Sequence, residues 1–396
     1  MKLTSNCTTS IAFVLLCFSF LLVGCENTED TLIEANDGET PVSEMPEEDV
    51  PDDTTPEEEP DMGAIGPRDP LKWPFLKTSI WNMPLGSDAV YKDANFEPAG
   101  NVGVDTQHII ILSDDDPTYP VWNSPSFQAN RCSGTDYLGF DLKFPKDLII
   151  ADAGSSPYGL TPNSNYAILD PSDQMMVEGS RISRCIADGP IHLPEWKRFE
   201  NNRTRISYLG DGLEGAGGQG ASHLSALGGT IRLGELVGDE PIRHVIKINP
   251  WAEKYLHYSD EVPGFKWPAQ SADNYAPTIY NRNADPDIVM GSLFAIPRDV
   301  TAEDLGLETE AAKKLLYTLQ HYGTYFTEDT YWDTWDLIVE EYVAREFEEA
   351  YGFGMESDLW KAEINKLMTA LHVITNNTEN TIGGGGEPVA PLAPDF

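Results

Sequence analysis

From Pro67 onward, glycine and proline interrupt the chain every eight to twelve residues, and no sustained helical pattern begins before about Ala302. That spacing accommodates strands of about five or six residues but not the longer helices that alternate with strands in βαβ units. It predicts a mainly β fold, a jelly-roll-like β-sandwich with helices at its C-terminal end. Strands are expected at 107–112, 148–151, 166–169, 175–178, 230–233, 242–248 and 288–293, where apolar and β-branched residues cluster.

The period changes at 308–322, where Ala312, Leu315, Leu316, Leu319 and Tyr322 share one helical face. Gly323 ends that helix, and 324–326 returns as a strand. Two more helices are expected over 332–351 and 358–373, the latter with Ser357 as its N-cap. The folded domain is thus 67–375, and 376–396, with its four consecutive glycines, reads as a disordered tail.

Ahead of the domain, residues 1–24 combine Lys2, an apolar run at 11–23 and Leu22-Val23-Gly24-Cys25. The run reads as a signal peptide rather than a spanning helix. Those last four residues resemble the lipobox of bacterial lipoproteins, which implies that Cys25 is lipidated and begins the mature chain. The protein is then extracytoplasmic, anchored at an outer membrane or cell surface. Residues 26–62 carry sixteen Asp or Glu and no Lys or Arg, so 25–66 is expected to be a disordered, self-repelling tether. Glu26, Glu29 and Asp30 also resemble the surface-export signal of Bacteroidetes lipoproteins.

The formal charge of -39 argues against nucleic acid as a partner, because phosphate binding needs a basic face. Setting aside Cys7, Cys17 and Cys25 leaves Cys132 and Cys185, which lack C-x-x-C spacing. In an oxidising compartment they are expected to form a disulfide. Oligomeric state is left open.

Chemistry concentrates at 208–249, where Gly215, Gly217, Gly218, Gly220, Gly228 and Gly229 allow close backbone approach. No G-K-[ST] or G-x-S-x-G follows, so the loop is either a structural crossing or the rim of a groove. Alternation over 242–249 puts Ile242, His244, Ile246 and Ile248 on one face and Arg243, Lys247 and Asn249 on the other. With Arg232, Lys254 and His257 these form a cationic patch of the kind an acidic sugar would require in an acidic protein. The same cations have Glu235, Asp239, Glu240 and Glu253 as alternative partners.

Trp251, Tyr255, Trp267 and Tyr275 are either sugar platforms or core, as is Trp81. There is no H-E-x-x-H and no metal site is assigned. Asp114-Asp115-Asp116 is a solvated turn or a structural calcium site.

Two reaction classes fit an extracellular polysaccharide, the expected partner. Glycoside hydrolysis needs paired carboxylates, for which Asp211, Glu214, Glu235 and Asp273 are available. Uronate β-elimination would use Arg232 to neutralise the carboxylate and His223 or Tyr255 as base, with Arg243, Lys247, Asn249, Trp251, Trp267 and Tyr275 holding substrate. A non-catalytic glycan-binding lipoprotein and a structural envelope protein are the alternatives.

Trp81-Asn82-Met83-Pro84, the run from Leu224 to Leu236, Ile242-Arg243-His244, Lys266-Trp267-Pro268-Ala269 and Leu319-Gln320-His321-Tyr322-Gly323 together resemble a group of secreted bacterial proteins, colinearly over 79–336. The resemblance implies secretion and no particular activity. Members of that group carry a histidine near position 217, where this chain has Gly217-Gly218 and places His223 later.

Overall fold

The computed structural model describes residues 67–127, 129–151, 163–194, 205–214, 217–280 and 282–396. The signal peptide, Cys25 and the acidic tether lie outside them. Thirteen strands follow one another among the described residues: β1 (Tyr91–Asp93), β2 (Asn101–Ile111), β3 (Thr118–Asn123), β4 (Tyr137–Lys143), β5 (Asn165–Asp170), β6 (Met175–Gly179), β7 (Ile191–Leu193), β8 (Ile206–Ser207), β9 (Ile246–Pro250), β10 (Leu293–Ala295), β11 (Thr324–Phe326), β12 (Thr334–Glu340) and β13 (His372–Ile374). The helices are α1 (Ala252–Tyr255), α2 (Ala276–Ile279), α3 (Ala302–Leu305), α4 (Glu310–His321), α5 (Val343–Tyr351) and α6 (Asp358–Thr369).

The expected β-sandwich is not what forms. Ten strands make one mixed sheet, in the order β1-β13-β10-β11-β9-β12-β2-β5-β6-β8, and β4-β3-β7 make a smaller second sheet. The arrangement is β-rich α/β. Its centre is mixed: β12 runs parallel with β2 over seven residue pairs, β2 with β5, and β11 with β9, while β9 and β12 between them pair antiparallel. Parallel neighbours need long crossover connections. The spacing of turn signals records strand lengths and says nothing about which distant strands become neighbours, so it could not distinguish this sheet from a sandwich.

Because side chains alternate along strands, the sheet has two unlike faces. One carries Val102, Ile246, Ile248, Phe294, Phe326, Trp335, Leu337 and Val373, packed against Leu315 and Leu319 of α4 and Trp360, Ile364 and Leu367 of α6. Toward β5 and β6 the same face presents Ile110, Ile168 and Val177 to Tyr119, Val121, Ile191 and Leu193 of the smaller sheet. The opposite face is apolar only in part, where Trp81, Leu293, Tyr325 and Ile374 form a second core with Phe75, Leu224 and Leu227. Trp81 is therefore a core residue.

Several local expectations need correction. The stretch 332–351 is not one helix: Thr334–Glu340 is strand, with Trp335, Leu337 and Val339 alternating against Thr334, Asp336 and Ile338, and only Val343–Tyr351 is helical. α6 does begin at Ser357, whose side chain accepts from Trp360 N–H, but it ends at Thr369 and the chain re-enters the sheet as β13. Segments 230–233 and 148–151 contribute single bridges, Ile231 to Val339 and Ile150 to Arg184.

The predicted disordered tail is packed. Gly86 N–H donates to Gly383 O at 2.9 Å, and Val389 N–H to Leu85 O at 2.9 Å. A Cβ at Gly383 (φ 69°) would lie 2.5 Å from Pro84 O, so this glycine serves a close crossing, which composition alone does not separate from disorder. Cys132 and Cys185 are disulfide-bonded, as expected. Among the described residues no helix is long and apolar enough to cross a membrane.

Candidate functional site

Where the second face leaves the apolar cluster it carries a row of polar side chains: Lys247 and Asn249 from β9, Asp336 from β12, Asp105 and Gln107 from β2, Asn165 from β5 and Glu178 from β6. Lys247, Asn249, Gln107, Asn165 and Glu178 are all at most 3 % exposed. Lys247 Nζ donates to Ser225 O at 2.8 Å and Ala226 O at 3.0 Å. Asn249 donates to Asp105 at 3.2 Å, as does Asn163 at 3.4 Å. Gln219 of the glycine loop links Asn165 and Gln107, accepting from one at 3.3 Å and donating to the other at 3.1 Å. Glu178 accepts from Ser225 Oγ at 2.5 Å and Leu227 N–H at 2.9 Å.

Four atoms of the row, Gln107 Nε2, Asn165 Oδ1, Glu178 Oε2 and Asn249 Oδ1, are buried without a protein hydrogen-bond partner. Unpaired polar atoms at such depth cost stability and are sustained where solvent or a ligand supplies the partner.

Burial sets the electrostatics. It lowers Lys247 to about 7 against the pull of Glu178, Asp105 and Glu328. It raises Asp105 to about 6, opposed by bonds from Asn163 and Asn249 and by Lys247, and Asp336 to about 7, opposed by the Thr334 hydroxyl. A Cβ at position 103 would meet Asp336 Oδ1 at 2.6 Å, so Gly103 makes the room for that carboxyl.

The row continues into a tighter cluster at the end of β11. Glu328 accepts from Gly220 N–H at 2.6 Å. Tyr280 Oη donates to Asp273 at 2.8 Å or to Asp329 at 2.5 Å, and Tyr275 Oη donates to Asp329 at 2.8 Å. Burial, then mutual repulsion, raises Asp329 well above its ordinary value; burial also raises Asp273 and Glu328. Both carboxyls reach the same Tyr280 hydroxyl, and their closeness adds to burial in favouring the protonated form over that of a solvated carboxyl. Asp273 and Asp329 are only half-buried, and Tyr331 (58 % exposed) and Trp332 (46 %) stand in the open beside them, Tyr331 packing on Tyr275 with ring centroids 4.8 Å apart.

The glycine loop fills both roles open to it. Gly229 (φ 70°) passes over Trp81 and Lys247, where a Cβ would lie 2.8 Å and 2.9 Å from the two side chains, so this part is a structural crossing. Gly220 forms the wall against Glu328. His223, in the same loop and half-buried, holds a left-handed backbone (φ 58°) uncommon outside glycine.

Of the sequence-predicted site residues, the fold gathers Lys247, Asn249, Asp273, Tyr275 and the His223 loop. The others lie elsewhere. Arg232 is buried, donating to Glu340 at 2.7 Å and to Leu71 O at 2.7 Å. Tyr255 donates to Glu97 O at 2.7 Å and stacks on Trp335 with centroids 4.4 Å apart, inside the apolar core. Arg243 pairs with Glu240 at 3.1 Å. Trp251 packs against the helix-covered core and Trp267 against the second one. The cationic patch expected around 232–258 is thus divided: Arg232, Arg243 and Lys254 pair with Glu340, Glu240 and Glu97, while Lys247 and His257 meet backbone carbonyls.

Sequence reading missed Asp105, Glu178, Tyr280, Glu328, Asp329 and Asp336. The run Glu328-Asp329-Thr330-Tyr331-Trp332, two acids followed by two neighbouring aromatics, was the available signal. Asp114-Asp115-Asp116 is a solvated turn in which Asp116 accepts from Ser113 N–H at 2.8 Å. Among the described residues no group of three or more His, Cys, Asp or Glu is arranged to hold a metal ion. No family model matches this sequence, and neither a curated protein nor a solved structure matches it.

Proposed function

We propose that the protein is a secreted lipoprotein, held at the cell surface through Cys25 and its acidic tether, that hydrolyses an extracellular polysaccharide at the Asp273–Asp329 pair. The observation carrying this reading is the pairing of two carboxyls around the Tyr280 hydroxyl beside the exposed rings of Tyr331 and Trp332. Flat apolar rings next to hydrogen-bonding groups suit a sugar face. Two carboxyls that reach one hydroxyl stand too close to admit a water between acid and base, which suits retaining chemistry. The protonated member donates to the glycosidic oxygen as its C–O bond breaks while the ionised member attacks the anomeric carbon. Water then displaces that carboxylate, giving its proton to the first member. Tyr275 and Tyr280 donate to the ionised member and hold it in place.

Elimination is less well supported, because the groups it would use, Arg232 and Tyr255, are engaged with Glu340 and the Glu97 carbonyl. The lipobox and the colinear motifs over 79–336 support export.

The test is incubation of the purified protein with a polysaccharide panel, reading new reducing ends for hydrolysis and ultraviolet absorbance for unsaturated uronates. Reducing ends without absorbance are expected. Asp329→Asn should lower that rate by about 10²–10⁴-fold while leaving binding intact. Activity should fall as pH rises through the raised value of the pair, since the proton donor is then lost. Retention on a glycan without release of products would instead identify a binding module.

A further inference from the structure

Glycoside hydrolysis uses two carboxyls, and the candidate site holds a third. Glu328 follows β11 directly before Asp329 and is 8 % exposed. Its Oε2 accepts from Gly220 N–H at 2.6 Å, while its Oε1 has no hydrogen-bond partner among the described residues. A Cβ at position 220 would lie 3.2 Å and 3.3 Å from the two oxygens, so the glycine loop closes on this carboxyl as far as a backbone can. The charges acting on it most strongly share its sign: burial, then Asp273, Asp329 and Asp105, raises Glu328 well above its ordinary value.

No cation of the chain answers this charge by contact. Lys247 and Arg181 lie within its field, but the Lys247 amine is bonded to Ser225 O and Ala226 O. Among the described residues no Lys, Arg or His forms an ion pair with Glu328, Asp273 or Asp329. Three neighbouring carboxyls without a counter-ion are accommodated by taking up protons, and a cationic ligand group would replace a proton and relieve the repulsion. The rest of the site suits such a group. Tyr331 and Trp332 stand exposed beside the carboxyls, and the faces of aromatic rings attract ammonium. A chain of charge -39 also draws polycations toward it and repels polyanions.

We propose that Glu328 is a specificity-determining residue that pairs with the ammonium group of an amino sugar, so that the polysaccharide acted on is a cationic, glucosamine-containing one. This rests on the hydrolase reading above: Asp273 and Asp329 cleave the bond, and Glu328 selects the sugar.

The test measures binding of the full chain to chitosan oligomers and to their N-acetylated counterparts, which share the backbone and lack the charge, at a mildly acidic pH where the sugar amine is protonated. The cationic oligomer should bind about tenfold or more tightly, because a hydrogen bond between charged groups is at stake. Calorimetry in buffers of different ionisation heat should show protons displaced by the cationic oligomer and none by the acetylated one. Glu328→Gln should reduce the affinity ratio about tenfold or more, and Glu328→Asp, keeping the charge, should retain part of it. Equal binding of the two oligomers to the unaltered protein, or binding without proton displacement, overturns the pairing. So does a Glu328→Gln variant that keeps the parent's ratio, since the preference then comes from the overall charge of the chain. Cleavage of other glycans with indifference to the amine refutes the amino-sugar assignment and leaves the hydrolase reading standing. No binding to any glycan sinks both.

Discussion

On one face of the central sheet, Phe294 and Phe326 pack with centroids 4.1 Å apart and Phe96 meets Trp335 at 5.2 Å. On the other face of those same central strands stand Lys247, Asn249, Asp336 and Asp105, charged and polar groups among which Asn249 Oδ1 is buried without a protein partner. Asp336 and Trp335 are adjacent residues of β12, pointing opposite ways. The helix-covered face returns free energy through area removed from water. The polar face spends some of it, keeping a lysine and several carboxyls at protonation states that water would not favour. Such division is characteristic of functional sites, where local preference is overridden by what the site must do.

The largest effect that would break this comparison lies on the apolar side. Trp335→Ala should cost about 3–5 kcal/mol in denaturant unfolding, because the ring is fully buried between Phe96 and Tyr255. Polysaccharide cleavage per folded molecule should be nearly unchanged. A variant that kept its stability and lost its activity would show that the two faces are not separable in this way.

The two faces were also unequally legible in the sequence. Alternation within β9 correctly set Ile246 and Ile248 against Lys247 and Asn249, because a period of two is a local property of the strand. The helical face of α4 was legible for the same reason. Asp273 and Asp329, by contrast, lie more than fifty residues apart, and only the path of the chain through α2 and β11 brings them to one tyrosine. Lys247 reads in sequence as one cation of a patch that could hold an acidic sugar. Its depth follows from Glu178 and Asp105, contributed by strands whose neighbourhood no spacing reports. Arg232 and Tyr255 had suitable chemistry, but the half-buried Glu340 and the Glu97 carbonyl had prior claim on them.

A smaller and pH-dependent effect tests the polar face directly. Burial raises Asp336 to about 7, so the folded state disfavours its ionised form. The carboxyl's contribution is therefore fully present below its unfolded value, near 4, and is lost as pH rises from there to about 7. Asp336→Asn removes that loss while retaining an oxygen to accept from Thr334 Oγ1. Relative to the parent, the variant should gain stability progressively over that window and then level off, with roughly 4 kcal/mol as the upper bound and less after coupling to Asp105. Denaturant midpoints across the pH range measure it. A constant difference at every pH would mean that Asp336 is not held protonated by its surroundings.

The smallest effect serves as the control that gives the pH result its meaning. Ser357 caps α6, whose inner face covers the apolar side of the sheet, and its hydroxyl accepts from Trp360 N–H at 3.3 Å. Ser357→Ala should cost about 1 kcal/mol through that one unsatisfied donor. No titratable group is involved in the bond, so the loss should be the same at pH 5 and pH 8. If it instead followed the pH course of Asp336→Asn, the sheet would be transmitting charge on its polar face to the packing of its helices, and the separation of the two faces would have to be abandoned.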